Sequence, residues 1–259
     1  GKMDYLYDKV ETYDKLKDII QGRALPDGLS DIQNGMADIE HHMLHFLDNH
    51  DEQRLASPEF AGTPQKGKPL MVVSTTISTS PTMVYFGQEV GEAGNENAGF
   101  GTHSRTSIFD YIGVPNHQRW MNGGKFDGGQ LTQEEKELRD FYKRILNFSL
   151  NSTALMGEYQ EIQTVNRQTT QGYDPGIYAF TRWSDTQKLV IVTNFSWLST
   201  SNFELKIPSE IIRKWNLNDG NYTVTDQLYN KSSVQLQVLN GEGKAQITIA
   251  PSESFIYQL

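Results

Sequence analysis

Hydrophobic residues run along this chain in two rhythms, and the change between them falls near Gly157. Before it, apolar positions recur at helical spacing or gather in short runs closed by polar clusters. Residues 3–10, with Tyr5 and Tyr7, predict a short strand. Tyr13, Leu16, Ile19 and Ile20 then repeat at helical spacing, with Gly22 as the stop. Residues 23–31 have loop composition. A short helix over Ile32–Ile39 leads into the apolar-rich run Met43–Leu47. A polar loop with Pro58, Gly62 and Pro64 follows, and Leu70–Ile77 is so rich in β-branched residues that propensity alone predicts a strand. Thr82–Glu89 predicts another, ending in Gly-x-Glu. Residues 91–130 form a long Gly-rich segment carrying Phe100, Phe109, Tyr111 and Trp120. A loop of that length in a compact domain is functional or disordered. Thr132 and Glu135 make a capping box, and Leu138, Phe141, Tyr142, Ile145 and Leu146 keep one helical face apolar behind it.

After Gly157 the period shortens. Strands are predicted over 158–165, 177–183, 188–195, 202–207, 221–228, 233–239, 244–250 and 253–259, with a hairpin turn at Asn240–Gly243 and a helical turn over Pro208–Trp215. Closely spaced strands over about a hundred residues argue for an antiparallel sandwich. Two domains are therefore expected, 1–156 and 157–259.

Composition narrows the ligand. Hydrophobic content of 37% and aromatic content of 11% suit a globular core. A net charge of −9 argues against nucleic acid, whose phosphates need a basic face, and fits a neutral ligand. No run is long and apolar enough for a membrane span. With no cysteine there is neither a disulfide nor thiol chemistry. Gly1 ahead of Lys2 reads as a tag-cleavage scar, so an engineered or truncated chain is expected, soluble but with its compartment left open.

The candidate chemistry lies in Phe46-Leu47-Asp48-Asn49-His50-Asp51-Glu52-Gln53-Arg54. An apolar run ending in Asn, His, Asp and Arg is similar to the C-terminal end of a barrel strand, where (β/α)8 enzymes carry their catalytic side chains. The F-x-x-N-H-D pattern resembles the fourth sequence block of the α-amylase family, glycoside hydrolase family 13. Thr82–Glu89, about forty residues on, resembles that family's last barrel strand, and its members carry an all-β domain directly after the barrel. The resemblance implies a partial (β/α)8 barrel, its last three β/α units, followed by a β-sandwich. A helix must then stand between two parallel strands, so Leu70–Ile77 is expected to be helical against its propensity.

By the same resemblance, Asp51 is the catalytic carboxylate that supports the transition state, and His50 donates to a hydroxyl of the same sugar ring. Arg54 is expected at the substrate or as partner to a carboxylate, with an ordinary surface arginine the alternative. A retaining glycosidase also needs a nucleophile and an acid/base. The family carries these on earlier strands, and no matching block precedes Phe46; Asp48, Glu52 and Glu89 do not fit the pattern. The aromatic residues of 91–130 either stack on sugars or anchor their loop. His41, His42, His45 and His50 are dense, but neighbouring strand residues point to opposite faces, so at most two could converge and no metal site is expected; a calcium ion belongs, if anywhere, to earlier parts of the barrel. The expected partner is an α-glucan oligosaccharide or polysaccharide. The expected function is that of a C-terminal portion of an α-amylase-type hydrolase, inactive alone and prone to self-association along its open barrel edge. The alternative is a non-catalytic glycan-binding or structural protein made from a decayed barrel.

Overall fold

A computed structural model describes residues 3–94, 106, 114–229 and 232–259. Its first part is a small parallel sheet of β1 (Leu6–Tyr7), β2 (Met43–Phe46) and β3 (Thr82–Met83), in that order. Leu6 pairs with Met43, and His45 with Thr82. Parallel neighbours need crossover connections. Here α1 (Asp14–Ile20) and α2 (Gly28–Gly35) link β1 to β2, and α3 (Pro64–Thr76) links β2 to β3.

Helix α3 is the expected override of β propensity. Thr63 accepts the amide of Lys66 and Pro64 occupies the first turn, so the start is well specified. Residues 69–76 are all buried. The hydroxyls of Thr75 and Thr76 are satisfied within the helix by donating to the carbonyls of Met71 and Val72, each at 2.7 Å.

Elsewhere the boundaries moved. The helix expected over Ile32–Ile39 begins at Gly28, because Leu29 is drawn into the core, and a 3-10 turn at Glu40–His42 fills the approach to β2. The strand expected over Thr82–Glu89 stops at Met83. Gly87 takes a left-handed conformation (φ +83°) and the chain winds into a 3-10 turn at Gln88–Val90. Phe100, Phe109 and Tyr111 lie outside the described residues. Helix α4 (Pro115–Met121) follows, then α5 (Gln133–Asn151), whose capping box forms as expected.

The second part is one continuous antiparallel sheet. Its strands are β4 (Glu158–Glu161), β5 (Ile177–Trp183), β6 (Lys188–Asn194), β7 (Ser201–Ile207), β8 (Gly220–Asp226), β9 (Ser233–Leu239), β10 (Glu242–Ile249) and β11 (Ser254–Gln258), ordered β4-β5-β6-β11-β8-β9-β10-β7. Val190 of β6 and Leu205 of β7 belong to one apolar cluster although β11, β8, β9 and β10 lie between their strands in the sheet. The sheet must curl onto itself for that contact, which fits the expected sandwich. The strand expected over 158–165 breaks after Glu161. Glu161 accepts the amide of Thr164 and starts α6 (Gln163–Thr169), and the buried Asn166 ties that helix to Lys206 O at 2.8 Å. A further helix, α7 (Ser209–Lys214), supplies the turn expected there. The β9–β10 hairpin closes through Asn240 (φ +52°) and Gly241 (φ +75°), the two left-handed residues a two-residue loop requires.

Alternation explains why β5 is buried throughout. Tyr178 and Phe180 face α3 and α5 in one cluster, whereas Ile177, Ala179 and Trp183 face the interior of the curled sheet in the other. On the same side as Tyr178, the buried Arg182 donates to the carbonyls of Ile77 (2.7 Å), Leu155 (2.6 Å) and Gly157 (3.1 Å). It binds the end of α3 and the turn after α5 to the sheet. Burial pushes its pKa down to about 10, which leaves it cationic at neutral pH.

Two expectations follow from this packing. Arg182→Met keeps the stem but strands three carbonyls, and should cost about 2–4 kcal/mol in urea unfolding; an unchanged midpoint would mean that water replaces the guanidinium. The edge strand β1, by contrast, exposes Leu6 and Tyr7, with Tyr5 and Val10 also exposed on either side of it. In hydrogen exchange, amides of β5, β6 and β11 should be slow at every protein concentration, while Leu6 and Tyr7 should exchange fast or gain protection only as concentration rises. Slow exchange of that pair in a dilute monomer would contradict an open edge.

Candidate functional site

Past Phe46 the chain leaves β2 through Leu47 and Asp48, both buried, and turns at Asn49. The Asn49 side chain is buried too, and its Oδ1 accepts the amides of Asp51 and Glu52, each at 2.8 Å. This Asx turn throws the next two side chains outward. His50 and Asp51 are 46% and 66% exposed, with His50 Nε2 3.2 Å from Asp51 Oδ2. Of the Asn-His-Asp triplet, then, the first residue builds the turn and the other two are available to a ligand.

Arg54 is placed differently from the expectation of a substrate contact. Its side chain has no exposure. Nη1 lies 3.3 Å from Asp48 Oδ2 and donates to Phe86 O at 2.7 Å, Nε donates to Thr106 Oγ1 at 2.6 Å, and the guanidinium sits 4.6 and 4.8 Å from the ring centres of Tyr85 and Phe86. Such a residue cannot touch a ligand in this structure. It joins the loop after β2 to the loop after β3, the second of the roles expected for it, with Asp48 as the carboxylate. Asp48 also accepts the amide of Leu55. Burial raises the Asp48 pKa to about 6, and Arg54 and the Leu55 amide pull in the opposite direction.

Of the other acids, Glu52 and Glu92 are tied down. Glu52 accepts from Tyr13 Oη at 3.4 Å and lies 3.6 Å from Lys9 Nζ. Glu89 sits half-buried on the 3-10 turn. Glu92 was not singled out in the sequence and is almost wholly buried; its carboxylate accepts the amides of Gly94, Asn116 and His117 at 3.1, 2.9 and 3.4 Å, closing the first turn of α4. His117 was also missed. Burial lowers its pKa, Glu89 and Glu92 pull it back up, and its ring continues an aromatic row: Tyr85–Phe86 4.6 Å, Phe86–His117 5.0 Å, His117–Trp120 5.6 Å, Trp120–Phe126 5.7 Å between centres. Trp120 therefore anchors its segment through ring contacts, as one of the two readings required. The one available signal was that His117 precedes Trp120 by a helical step.

His45, one of the clustered histidines, is inside: Nδ1 lies 2.8 Å from Ser74 O and Nε2 3.3 Å from Asp8 Oδ2. Burial would raise the Asp8 pKa, but hydrogen bonds with His45 and Thr12 bring it below the ordinary value. Among the described residues no three His, Asp or Glu side chains converge as metal ligands would. Among the same residues no helix is long and apolar enough to cross a membrane.

This architecture has solved counterparts. The chain superposes on an α-amylase from Anoxybacillus with a TM-score of 0.66 at 17% identity, covering 99% of this chain and 47% of that one. AmyP in complex with maltose gives 0.64 at 17%, covering 99% and 50%. A noncanonic maltogenic α-amylase, AmyB from Thermotoga neapolitana, gives 0.63 at 16%, covering 99% and 51%. No protein-family model and no curated protein matches the sequence. The resemblance to the α-amylase family thus holds in the fold, and the chain spans about half the length of these structures, as a C-terminal portion would.

The buried pair makes a signed prediction. A folded pKa of about 6 against 3.8 unfolded means that the unfolded chain sheds the Asp48 proton first, so this group takes stability away as pH climbs from about 4 to about 6. Asp48→Asn copies the size of the protonated acid and cannot ionise. The stability of that variant relative to wild type should rise through the same window and stay level above about pH 7. A difference constant from pH 4 to 7 would show that Arg54 holds Asp48 ionised throughout.

Proposed function

We propose that this chain is the C-terminal portion of an α-amylase-family glycoside hydrolase acting on α-glucans with retention of configuration. On this reading β1, β2 and β3 are the last three β/α units of a (β/α)8 barrel, and the curled sheet is its trailing sandwich. The observation that carries it is the paired exposure of His50 and Asp51 at the C-terminal end of a parallel strand, inside an amylase-like fold.

The roles follow from placement. Asp51 is an acceptor on a rigid turn, suited to hydroxyls of a ring whose charge and shape change in the transition state. His50 is close enough to share those hydroxyls and to orient the carboxylate. Arg54 is a positioning residue: it fixes the loop behind Asp51 against Phe86 O on the next loop. The expected nucleophile and acid/base blocks are not in these 259 residues, so the chain alone lacks the two carboxylates that bond cleavage needs. The edge of β1 is where complementary barrel strands, or a second copy of this chain, would pair.

The test has two arms. The purified 259-residue chain should not turn over maltoheptaose. In a protein completed by both upstream carboxylates, Asp51→Asn should lower kcat and kcat/KM together by about 100-fold with little change in stability, the mark of an interaction made in the transition state. Turnover by the isolated chain, lost on Asp51→Asn, would overturn the inactive-portion reading. A rise in KM alone would make Asp51 a ground-state contact. No effect at all, in a protein that binds glycans, would favour the non-catalytic alternative.

A further inference from the structure

A second concave surface lies where the end of α1 meets the loop after β6. It is a groove of about 320 Å3 with Gln21, Leu25 and Pro26 on one bank and Pro175, Ser196 and Trp197 on the other. None of its lining residues carries a formal charge, in a chain where 21% of residues do. A lining without charge argues against basic peptides and metal ions, which need acidic partners, and the one cation beside it, Lys66 Nζ, lies against the Trp197 ring. Such a lining favours ligands that are neutral and amphipathic. No lining residue is shared with the His50–Asp51 end of β2.

Trp197 is 52% exposed. An exposed indole offers a flat apolar face with a polar edge, and Leu198 beside it is 73% exposed. This one is also held in place. Lys66 Nζ from the first turn of α3 lies 3.8 Å from the ring centre. The loop beneath it is braced by Asn194, whose Oδ1 accepts the amide of Ser196 at 2.9 Å and whose Nδ2 donates to Ser199 O and Ala250 O at 3.0 Å each. Ser196 Oγ lies 3.0 Å from Ser199 Oγ, and Ser196 O accepts the amide of Ser252 at 2.8 Å. On the opposite bank, Gln21 is fixed by its Nε2, which donates to Glu59 O at 2.7 Å and Phe60 O at 3.0 Å. A flat ring on a rigid loop loses little entropy when it is covered.

A pyranose ring has the matching chemistry: C–H faces for the indole, a rim of hydroxyls for amide, hydroxyl and main-chain groups, and no charge. We infer that the groove beside Trp197 is a second glycan site, binding one or two units of a neutral α-glucan apart from the His50–Asp51 end. The choice of α-glucan rests on the function proposed above; the site itself rests on the uncharged groove and the braced indole. Its effect would be to hold a polymer at the surface and raise the local concentration of chain ends.

Affinity electrophoresis of the intact chain in gels containing amylopectin, with saturation-transfer NMR on maltoheptaose, tests this. The wild type should be retarded, Trp197→Ala should bind at least about five-fold more weakly with an unchanged circular dichroism spectrum, and Trp197→Phe should fall between, since stacking on one ring is worth roughly 1 kcal/mol. The double variant His50→Ala, Asp51→Asn should keep most of the retardation. Trp197→Ala retarded as strongly as wild type would overturn the site, as would a wild type that neither matrix nor ligand engages. Neither result touches the proposed reaction, which the Asp51→Asn kinetics judge separately. Retardation by a β-linked glucan only, abolished in Trp197→Ala, would overturn the α-glucan assignment while leaving those kinetics to stand or fall alone.

Discussion

A helix with almost no solvent face carries the architecture. Helix α3 is buried from Pro69 to Thr76, between the parallel strands and the faces of β6 and β11. Its Leu70, Val72 and Val73 share one apolar cluster with Phe46 and Leu47 of the β2 segment, Phe141 and Ile145 of α5, and Leu189, Ile191 and Ile256 of the sheet. Helical formation is unfavourable for β-branched residues by only tenths of a kcal/mol each, whereas burying each such side chain gains roughly 1.5–3 kcal/mol. Packing therefore decides the local conformation. Because one helix serves both parts, the sheet and the parallel strands share a core.

That shared core contains charges, and they are used as fasteners. Arg182 directs its donors to three carbonyls from the turn after α5 and the end of α3, where the helix dipole is negative. Arg54 and Asp48 do the same for the two loops that leave β2 and β3. Buried ion pairs add little net stability but are costly to break, so they select one arrangement of the groups they join. The consequence for function is geometric. His50 and Asp51 stand on a turn whose underside is fixed at Asn49, Asp48 and Arg54, so two exposed side chains inherit the rigidity of buried ones.

The same logic separates the His50–Asp51 end from the groove at Trp197. Both present exposed side chains on braced loops, yet the first is a carboxylate beside an imidazole and the second an indole, backed by Lys66, in a hollow whose lining residues carry no charge. A carboxylate discriminates among states of a ligand that differ in charge or hydroxyl position. An indole face holds any sugar ring nearly alike. Under the proposed function, the first would act on a ring during reaction and the second on a chain at rest.

Much of this was legible in residues alone. Alternation and turn chemistry located the strands after Gly157 to within a few residues, since the Asn240–Gly241 hairpin and the period-two pattern are local properties. The capping box of α5 was equally local. The F-x-x-N-H-D block marked the exposed pair. What the sequence by itself could not determine was long-range. Whether Leu70–Ile77 would be a helix depended on the parallel strands around it, and Arg54 reads the same whether it faces solvent or, as here, Asp48 and Phe86 O. The early end of β3 turned on a left-handed Gly87, and the capping role of Glu92 needed the start of α4, far along the chain at Pro115. Local patterns specify elements because neighbouring residues share a backbone. Burial and partnership are properties of pairs distant in sequence, and only the folded chain assigns them.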